Sequence, residues 1–205
     1  MNRYLTSLGL TLLGMSFTFV PQKLPGIVLI QPDTFKDKRG SLVETYRASA
    51  FRGMGIGPFV QENHSVSRKG VLRGLHFQHA PYAQGKLLSV VSGSVYDVAV
   101  DIRSNSKTFG QHVGIKLSAT PEGSQYFWIP PGFAHGFQAL EDRTIVVYKL
   151  TSEYSPENAA GINYTDPELG IQWPLPPEET IVLEKDRDLP TLKRCLDLAG
   201  LEYTG

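Results

Sequence analysis

The alternation of apolar and polar residues along this chain is typical of short β-strands separated by turns. Apolar and β-branched residues gather in short runs bounded by glycine, proline, asparagine or aspartate. The runs predicted as strands are Gly26–Ile30, Ser41–Tyr46, Val71–Phe77, Lys86–Val91, Val95–Ile102, His112–Leu117, Gln125–Ile129 and Arg143–Leu150. Many short strands at this spacing indicate an all-β protein, and we expect an antiparallel jelly-roll β-sandwich with few short helices.

One segment, LLSVVSGSVYDVAVDI, predicts a hairpin that turns at Ser92-Gly93. In its second strand, side chains alternate between two faces. One face carries Val95, Asp97, Ala99 and Asp101, and the other carries Tyr96, Val98 and Val100. Aspartate is a poor strand residue, so Asp97 is a candidate for a buried carboxylate with a partner. The alternative is that its face of the strand is exposed to water.

Two segments carry helical signals. Ala48–Met54 predicts one or two turns, and Leu189–Leu201 predicts a terminal helix with Pro190 in its first turn. The chain's one cysteine, Cys195, lies in the second segment. We interpret it as a packed small apolar residue, and a lone thiol makes the fold independent of internal disulfides.

The length of 205 residues is suited to one substantial domain. An apolar stretch follows Arg3 near the N-terminus, but Thr and Ser residues interrupt it and no clear A-x-A cleavage site follows. The stretch is also short for a membrane span. We expect translation to begin at Met15, so that residues 1–14 are an upstream extension and residues 15–205 form a single domain.

The chain carries 20 basic and 20 acidic residues, a formal net charge of zero, and no long block of like charge. This balance gives no reason to expect a nucleic-acid or membrane partner. An anion would have to be bound by a local cluster of basic side chains, because the chain has no net positive charge to attract it.

Candidate chemistry is concentrated in three stretches. The first, QENHSVSRKGVLRGLHFQHAPYAQGK, holds His64, Arg73, His76, His79 and Lys86. In the second, WIPPGFAHGF, a histidine follows a Pro-Pro-Gly turn that would aim the next strand. That histidine is His135. The third, TIVVYKL, places Tyr148 on the strand face of Val146, where a tyrosine by itself is usually a packing residue.

Metal chemistry is one use for such histidines. PPGFAH resembles the P-x-G-x-x-H motif of metal-binding cupin sandwiches, which bind iron, zinc or manganese. The expected H-x-H pair is absent, however, and residues i and i+3 of a strand, such as His76 and His79, point to opposite faces. The ammonium of Lys86 would also repel a divalent cation. We therefore expect no metal and no redox cofactor.

Proton transfer is the other use. A histidine can remove a proton next to a carbonyl, a lysine can stabilise the enolate oxygen, and a tyrosine can return a proton from another direction. His76, Lys86 and Tyr148 would supply these three groups. An aspartate bonded to the far nitrogen of the histidine would fix its tautomer.

From Pro32 onward the sequence strongly resembles the dTDP-4-dehydrorhamnose 3,5-epimerase family. The matching stretches include DKRGSLVETY, VQENHSVSRKGVLRGLHFQ, WIPPGFAHGFQAL, VVYKLTSEYSPE, TDPELGIQWPL and LEKD. They cover nearly all of the chain from about Gly26 to Asp186, in order and without large gaps. The resemblance implies a cupin-like fold and an isomerase that inverts C3 and C5 of dTDP-4-keto-6-deoxyglucose.

The resemblance also implies roles for individual residues. His76 matches the catalytic base, Tyr148 the acid on the opposite side of the sugar, Lys86 the lysine near the 4-keto oxygen, and Asp186 the carboxylate paired with the histidine. Matches to substrate-binding positions are Arg39, Glu44, Gln61, Asn63, His64, Arg73, His135 and Lys185. The family places Arg39 and Glu44 in the partner subunit's site, which implies a homodimer with shared sites. We expect a cytoplasmic enzyme of dTDP-rhamnose biosynthesis.

Strict alternation places Arg73 and His76 on opposite faces of their strand. If both enter one site, Gly74 is expected to mark a bulge or twist. Asp97 remains a weaker alternative to Asp186 as a histidine partner. Three other functions stay open: an epimerase acting only at C3 or C5 of a related keto sugar, a metal-dependent cupin enzyme, and a cupin that binds a sugar nucleotide without turnover.

Overall fold

The structure is a computed structural model, and it describes residues 17–120 and 125–198. The predicted extension, residues 1–14, lies outside these ranges. The strands are β1 (Phe17–Pro21), β2 (Val28–Pro32), β3 (Thr34–Asp37), β4 (Gly40–Val43), β5 (Gln61–Ser67), β6 (Leu72–Gln78), β7 (Lys86–Ser92), β8 (Ser94–Asp101), β9 (His112–Ser118), β10 (Tyr126–Ile129), β11 (Phe133–Ala139), β12 (Thr144–Leu150) and β13 (Ala159–Gly161). The helices are α1 (Ala48–Arg52), α2 (Glu184–Arg187) and α3 (Leu192–Leu198), with 3₁₀ turns at Pro156–Asn158 and Pro177–Glu179.

Two antiparallel sheets form a sandwich, which confirms the predicted fold class. One sheet has the strand order β1-β2-β10-β7-β12-β5, and the other has the order β13-β6-β11-β8-β9. Strands β3 and β4 form a separate two-stranded hairpin. Apolar side chains from both sheets meet in the interior, among them Leu88, Val90, Phe127, Phe133 and Val146. This central core holds the two sheets face to face.

The outer face of each sheet is also partly covered. Phe51 of α1 packs with Ile30 and Trp128 on the outside of the six-stranded sheet. The C-terminal segment covers the outside of the five-stranded sheet, where Ile162 and Cys195 pack with residues of β6, β8 and β11. Because both faces are covered, β10 and β11 are buried along their whole length. Cys195 is buried there, and burial raises the pKa of its thiol.

The predicted hairpin at Ser92-Gly93 is wrong in its pairing. The turn exists, and Gly93 adopts a φ of 75°, but β7 pairs with β10 and β12 while β8 pairs with β11 and β9. The chain therefore crosses from one sheet to the other at this glycine. A side chain at Gly93 would collide with Thr144, which packs against the corner. The predicted alternation in β8 is confirmed: Val95 faces the central core, and Val98 faces the C-terminal segment.

The strand positions otherwise agree with the pattern to within a few residues, although β1, β3, β5, β11 and β13 are absent from the strands named from sequence. Helix α1 ends at Arg52, two residues earlier than predicted, and α3 begins at Leu192 instead of Leu189. The predicted end of the terminal helix lies outside the described residues. Among the described residues, no helix has the length and apolar character needed to cross a membrane.

A candidate acid–base site between the sheets

A cavity of about 550 Å³ opens between the two sheets, a volume typical of small-molecule sites. Both sheets, α2 and the chain before it contribute side chains to its wall. The predicted site residues that line it are Gln61, Asn63, Arg73, His76, Lys86, His135, Tyr148, Lys185 and Asp186. Nine of the twelve predicted residues are thus brought together in one cavity.

The most distinctive pair in the cavity is His76 with Asp186. His76 Nε2 lies 2.9 Å from Asp186 Oδ1, with the imidazole 44 % exposed and the carboxylate 5 % exposed. Desolvation lowers the pKa of His76 below its usual value, although the hydrogen bond and the charge of Asp186 oppose that shift. Lys86 and His135 add to the lowering. The imidazole is therefore neutral at neutral pH, as a general base requires.

The bulge expected at Gly74 is present. Arg73 lies opposite Phe137 and His76 lies opposite His135, so three steps along β6 match two steps along β11. The extra residue brings Arg73 and His76 to the same cavity. Gly74 has a φ of 134°, and a Cβ there would lie 2.8 Å from the carbonyl oxygen of His135. Its N–H points to Asp186 Oδ2 at 3.5 Å, a long contact.

Lys86 begins β7 on the opposite sheet and is only 8 % exposed. Its ammonium donates to the backbone oxygen of His76 at 3.0 Å, a bond that joins the two sheets. Burial lowers the pKa of Lys86 to about 8, and the negative charge of Asp97 resists the shift. Lys86 therefore remains mostly cationic at pH 7 and can stabilise a developing oxyanion.

Asp97 is fully buried, as the sequence suggested, but its partner is His135 and not His76. His135 Nε2 lies 2.9 and 3.1 Å from the two carboxylate oxygens. The two residues sit on neighbouring strands, β8 and β11, and both are almost inaccessible to water. His135 lines the cavity and Asp97 lies behind it, so a second histidine–aspartate pair adjoins the site, which sequence reasoning did not connect.

Tyr148 projects from β12 into the cavity from the side opposite His76. It shares a strand face with Val146, as expected, and packs partly against the central core. Gln61 and Asn63 on neighbouring β5 lie on the same wall, and the Gln61 amide donates to Asn63 Oδ1 at 3.2 Å. Because His76 is on one sheet and Tyr148 on the other, a molecule in the cavity would lie between them.

Three predicted residues lie outside this cavity. His64 alternates with Asn63 and is exposed on the outer face of β5, so the structure does not place it in the site of its own chain. Arg39 lies in the β3–β4 turn, where it forms an exposed ion pair with Asp37 at 2.6 Å. Glu44 follows the hairpin, with Arg47 3.7 Å away.

Sequence reasoning missed several residues of the cavity wall, including Phe137, Tyr154 and Leu183. Tyr154 and Leu183 are about 60 % exposed, at 61 % and 59 %. Exposed large side chains beside a cavity often serve binding, but their exposure cannot be read from a single sequence.

A metal-dependent cupin enzyme would need several side chains placed to bind one metal ion. Within the described ranges, no group of three or more His, Cys, Asp or Glu side chains is placed to hold a metal ion. His79 is exposed beyond the end of β6 and does not line the cavity with His76.

Comparisons with known proteins give a consistent result. The sequence profile described as dTDP-4-dehydrorhamnose 3,5-epimerase matches residues 21–194. A protein of that name from Methanothermobacter thermautotrophicus is 46 % identical over 179 residues, covering 86 % of this chain and 95 % of the relative.

Solved structures agree. A Legionella pneumophila dTDP-6-deoxy-D-glucose-3,5-epimerase in complex with dTDP-4-keto-L-rhamnose is 42 % identical, with a TM-score of 0.84, covering 93 % of this chain and all of that one. A 3′-monoepimerase from Streptomyces bikiniensis in complex with dTDP-quinovose is 33 % identical, with a TM-score of 0.81, covering 88 % of this chain and 90 % of that one.

Proposed function

Because the chain belongs to the dTDP-4-dehydrorhamnose 3,5-epimerase family, we propose that His76 and Tyr148 carry out its proton transfers from opposite sides of the bound sugar. The enzyme is an isomerase that inverts C3 and C5 of dTDP-4-keto-6-deoxy-D-glucose to give dTDP-4-keto-L-rhamnose. The observation that supports these roles is the placement of His76 and Tyr148 on opposing sheets of one cavity.

The first step breaks a C–H bond next to the 4-keto group. The proton passes to His76, and the bonding electrons move into the enolate, with negative charge on the 4-oxygen. Since Nε2 of His76 bonds to Asp186, Nδ1 is the nitrogen that takes the proton. Asp186 orients the ring and stabilises the imidazolium that forms. Lys86 donates to the enolate oxygen.

The second step forms a new C–H bond on the other face. Tyr148 gives its hydroxyl proton to the same carbon, the enolate returns to a ketone, and the configuration is inverted. Exchange with water then reprotonates Tyr148 and deprotonates His76. The same sequence at the second carbon completes the double epimerisation.

The diphosphate requires local cations, because the chain as a whole is neutral. Arg73 and Lys185 line the cavity and supply positive charge beside the sugar site. Binding of the dTDP portion, away from the reacting carbons, would place C3 and C5 near the base.

The direct test is NMR of the keto sugar nucleotide with purified enzyme in deuterated water. We expect deuterium at both C3 and C5 and inversion of both centres. Inversion at one carbon only would identify a mono-epimerase, and no exchange at either carbon would contradict the proposed function.

Activity should survive exhaustive EDTA treatment, because Lys86 occupies the region where a metal-dependent cupin supplies a carboxylate. The measurement is the epimerisation rate before and after chelation, with metal content determined in parallel. A stoichiometric metal whose removal abolishes turnover would overturn the metal-free mechanism.

The pH dependence should follow from His76 and Lys86. His76 must be neutral, so kcat/KM should fall as acid protonates it, at a pH below the usual histidine range. Lys86 must be charged, so the rate should also fall as pH rises through about 8. A profile of kcat/KM against pH checks both limbs. A rate that stays constant well above pH 8 would contradict the role of Lys86.

We also infer a homodimer with shared sites. The β3–β4 hairpin presents exposed Phe35 and Leu42 beside Arg39, and these apolar side chains fit burial against a second copy. In that arrangement Arg39 of one chain would reach the diphosphate bound to the other.

Mixing experiments would test the shared site. His76→Ala and Arg39→Ala chains should each be nearly inactive alone, and hybrid dimers should recover part of the activity because one of their two sites is intact. The recovery is measured after verified subunit exchange. No recovery would count against the shared site.

The proposed location is the cytoplasm. The chain's one cysteine makes the fold independent of internal disulfides, which is compatible with a reducing compartment.

A further inference from the structure

Asp186 reaches His76 on a segment that belongs to neither sheet. Residues 175–187, which we call the strap, run from the outer side of the five-stranded sheet past the edge of β6. Ile181 attaches the strap there: its N–H donates to Gly70 O at 2.8 Å, and its carbonyl accepts from Leu72 N at 2.9 Å. The position of Asp186 therefore depends on what holds the strap.

Gln138 holds the beginning of the strap from inside the protein. It lies on β11 and is fully buried, on the strand face opposite the cavity. Its Oε1 accepts from Leu175 N at 2.9 Å. Its Nε2 donates to Thr180 Oγ1 at 2.9 Å and to Leu175 O at 3.3 Å. One amide thus bonds to both ends of the turn formed by residues 175–180.

Apart from the contacts of Asp186 itself, the other side-chain contacts between the strap and the rest of the protein are more exposed. Lys69 and Glu179 form an ion pair at 3.0 Å, with both side chains about half exposed. Such surface pairs contribute little. Asn163 donates to Arg187 O at 2.9 Å, beyond Asp186. Before Asp186, Gln138 supplies the buried side-chain attachment.

We propose that Gln138 is a positioning residue for the His76–Asp186 pair, because it fixes the turn from which the strap delivers Asp186 to His76. The expected effect on catalysis rests on the proposed function. The effect on the His76–Asp186 contact does not, and it can be measured without substrate. Gln138 touches neither His76 nor the cavity, so it acts only through the strap.

Replacing Gln138 with methionine keeps most of the side-chain volume but removes the donor and the acceptor. The strap would then sample positions in which Asp186 is farther from His76. Four charged or titratable groups act together at this point: His76 itself, Asp186, Lys86 and His135. Asp186 is the one that favours the protonated imidazole, so weakening its contact would lower the pKa of His76 further.

The test is an NMR titration of the His76 imidazole in the full chain without substrate, assigned by comparison with His76→Ala. Asp186→Asn should lower the titration midpoint by about one pH unit or more. Gln138→Met should lower it by a smaller amount, and the double variant should titrate like Asp186→Asn alone. The acid limb of kcat/KM should shift in the same direction.

Thr144→Val is the matched control. Thr144 is fully buried and bonds to the backbone oxygens of Glu141 and Ser94, at a corner of the sandwich away from the strap. Its loss removes buried hydrogen bonds and stability but should leave the His76 midpoint unchanged. If Gln138→Met does not fold, Thr180→Val removes one acceptor of the same amide and should lower the midpoint.

A folded Gln138→Met, or Thr180→Val in its place, with the wild-type midpoint would overturn the proposal. So would a double variant whose shift equals the sum of the single shifts. Failure of the proposed function would look different: the wild-type enzyme would not exchange deuterium into the keto sugar, whatever the titration of Gln138→Met showed.

Discussion

Replacing His76 with alanine is expected to stop deuterium exchange at both C3 and C5. Without the imidazole no group in the cavity removes either proton, so no enolate forms. General-base catalysis is worth about 10²- to 10⁴-fold, and we expect a loss toward the upper end because exchange and inversion both require this step. Removing the imidazole also leaves the buried Asp186 carboxylate without its partner, so some loss of stability is expected, and folding of the variant is verified before its exchange is measured. The measurement is NMR in deuterated water at substrate saturation.

His79→Ala is the control for this change. It removes the same side chain at an exposed position near the end of β6, outside the cavity lining, and should exchange at the wild-type rate. If His76→Ala exchanges normally, the base lies elsewhere, and His135 is the next histidine in the cavity. If Asp186→Asn exchanges deuterium at the wild-type rate, the hydrogen bond between Asp186 and His76 is not needed for catalysis.

Replacing Tyr148 with phenylalanine should separate exchange from inversion. His76 can still remove the proton, but the enolate lacks its donor on the other face. It is then reprotonated mostly from the side of His76, which gives deuterium incorporation with retained configuration. Epimerisation should fall by about 10²- to 10⁴-fold, while the ring that packs on the central core remains. The measurement compares deuterium content with configuration at each carbon.

Tyr126→Phe is the corresponding control, because Tyr126 lies on β10 of the same sheet but packs on its outer side with Phe51 and Trp128. It should leave both exchange and inversion intact. Wild-type epimerisation in Tyr148→Phe would mean that Tyr148 is a packing residue and that another group supplies the proton.

The positions of the strands could be predicted from the sequence more accurately than the pairing between them. Strand positions follow from local alternation, but a turn such as Ser92-Gly93 has the same local chemistry whether it closes a hairpin or crosses between sheets. In β7 both faces are largely buried, so alternation does not reveal a solvent side. Strand β11 was missed because FAHGFQA combines small residues and glycine, which have low strand propensity, and it is buried by its neighbours.

In the candidate site, likewise, individual residues could be predicted from sequence better than the contacts between them. The motifs around His76, Lys86, Tyr148 and Asp186 identified four residues that the structure brings to one cavity. The partner of Asp97 could not be read from sequence, because the pairing of β8 with β11 is a long-range contact. The role of Gln138 could not be predicted either, because it depends on the burial of the amide and on its hydrogen bonds to a turn distant in sequence.

The division of the chemistry between two sheets has a consequence for residues far from the substrate. His76 belongs to the five-stranded sheet and Tyr148 to the six-stranded one, so the distance between their side chains depends on the spacing of the sheets. Interior side chains such as Phe127 and Phe133 set that spacing. A cavity-forming or oversized substitution there changes the gap between proton acceptor and donor without touching either, and displacements of about 1 Å can cost 10²-fold in rate. The packing of the core thus affects the distance between His76 and Tyr148 as well as the stability of the fold.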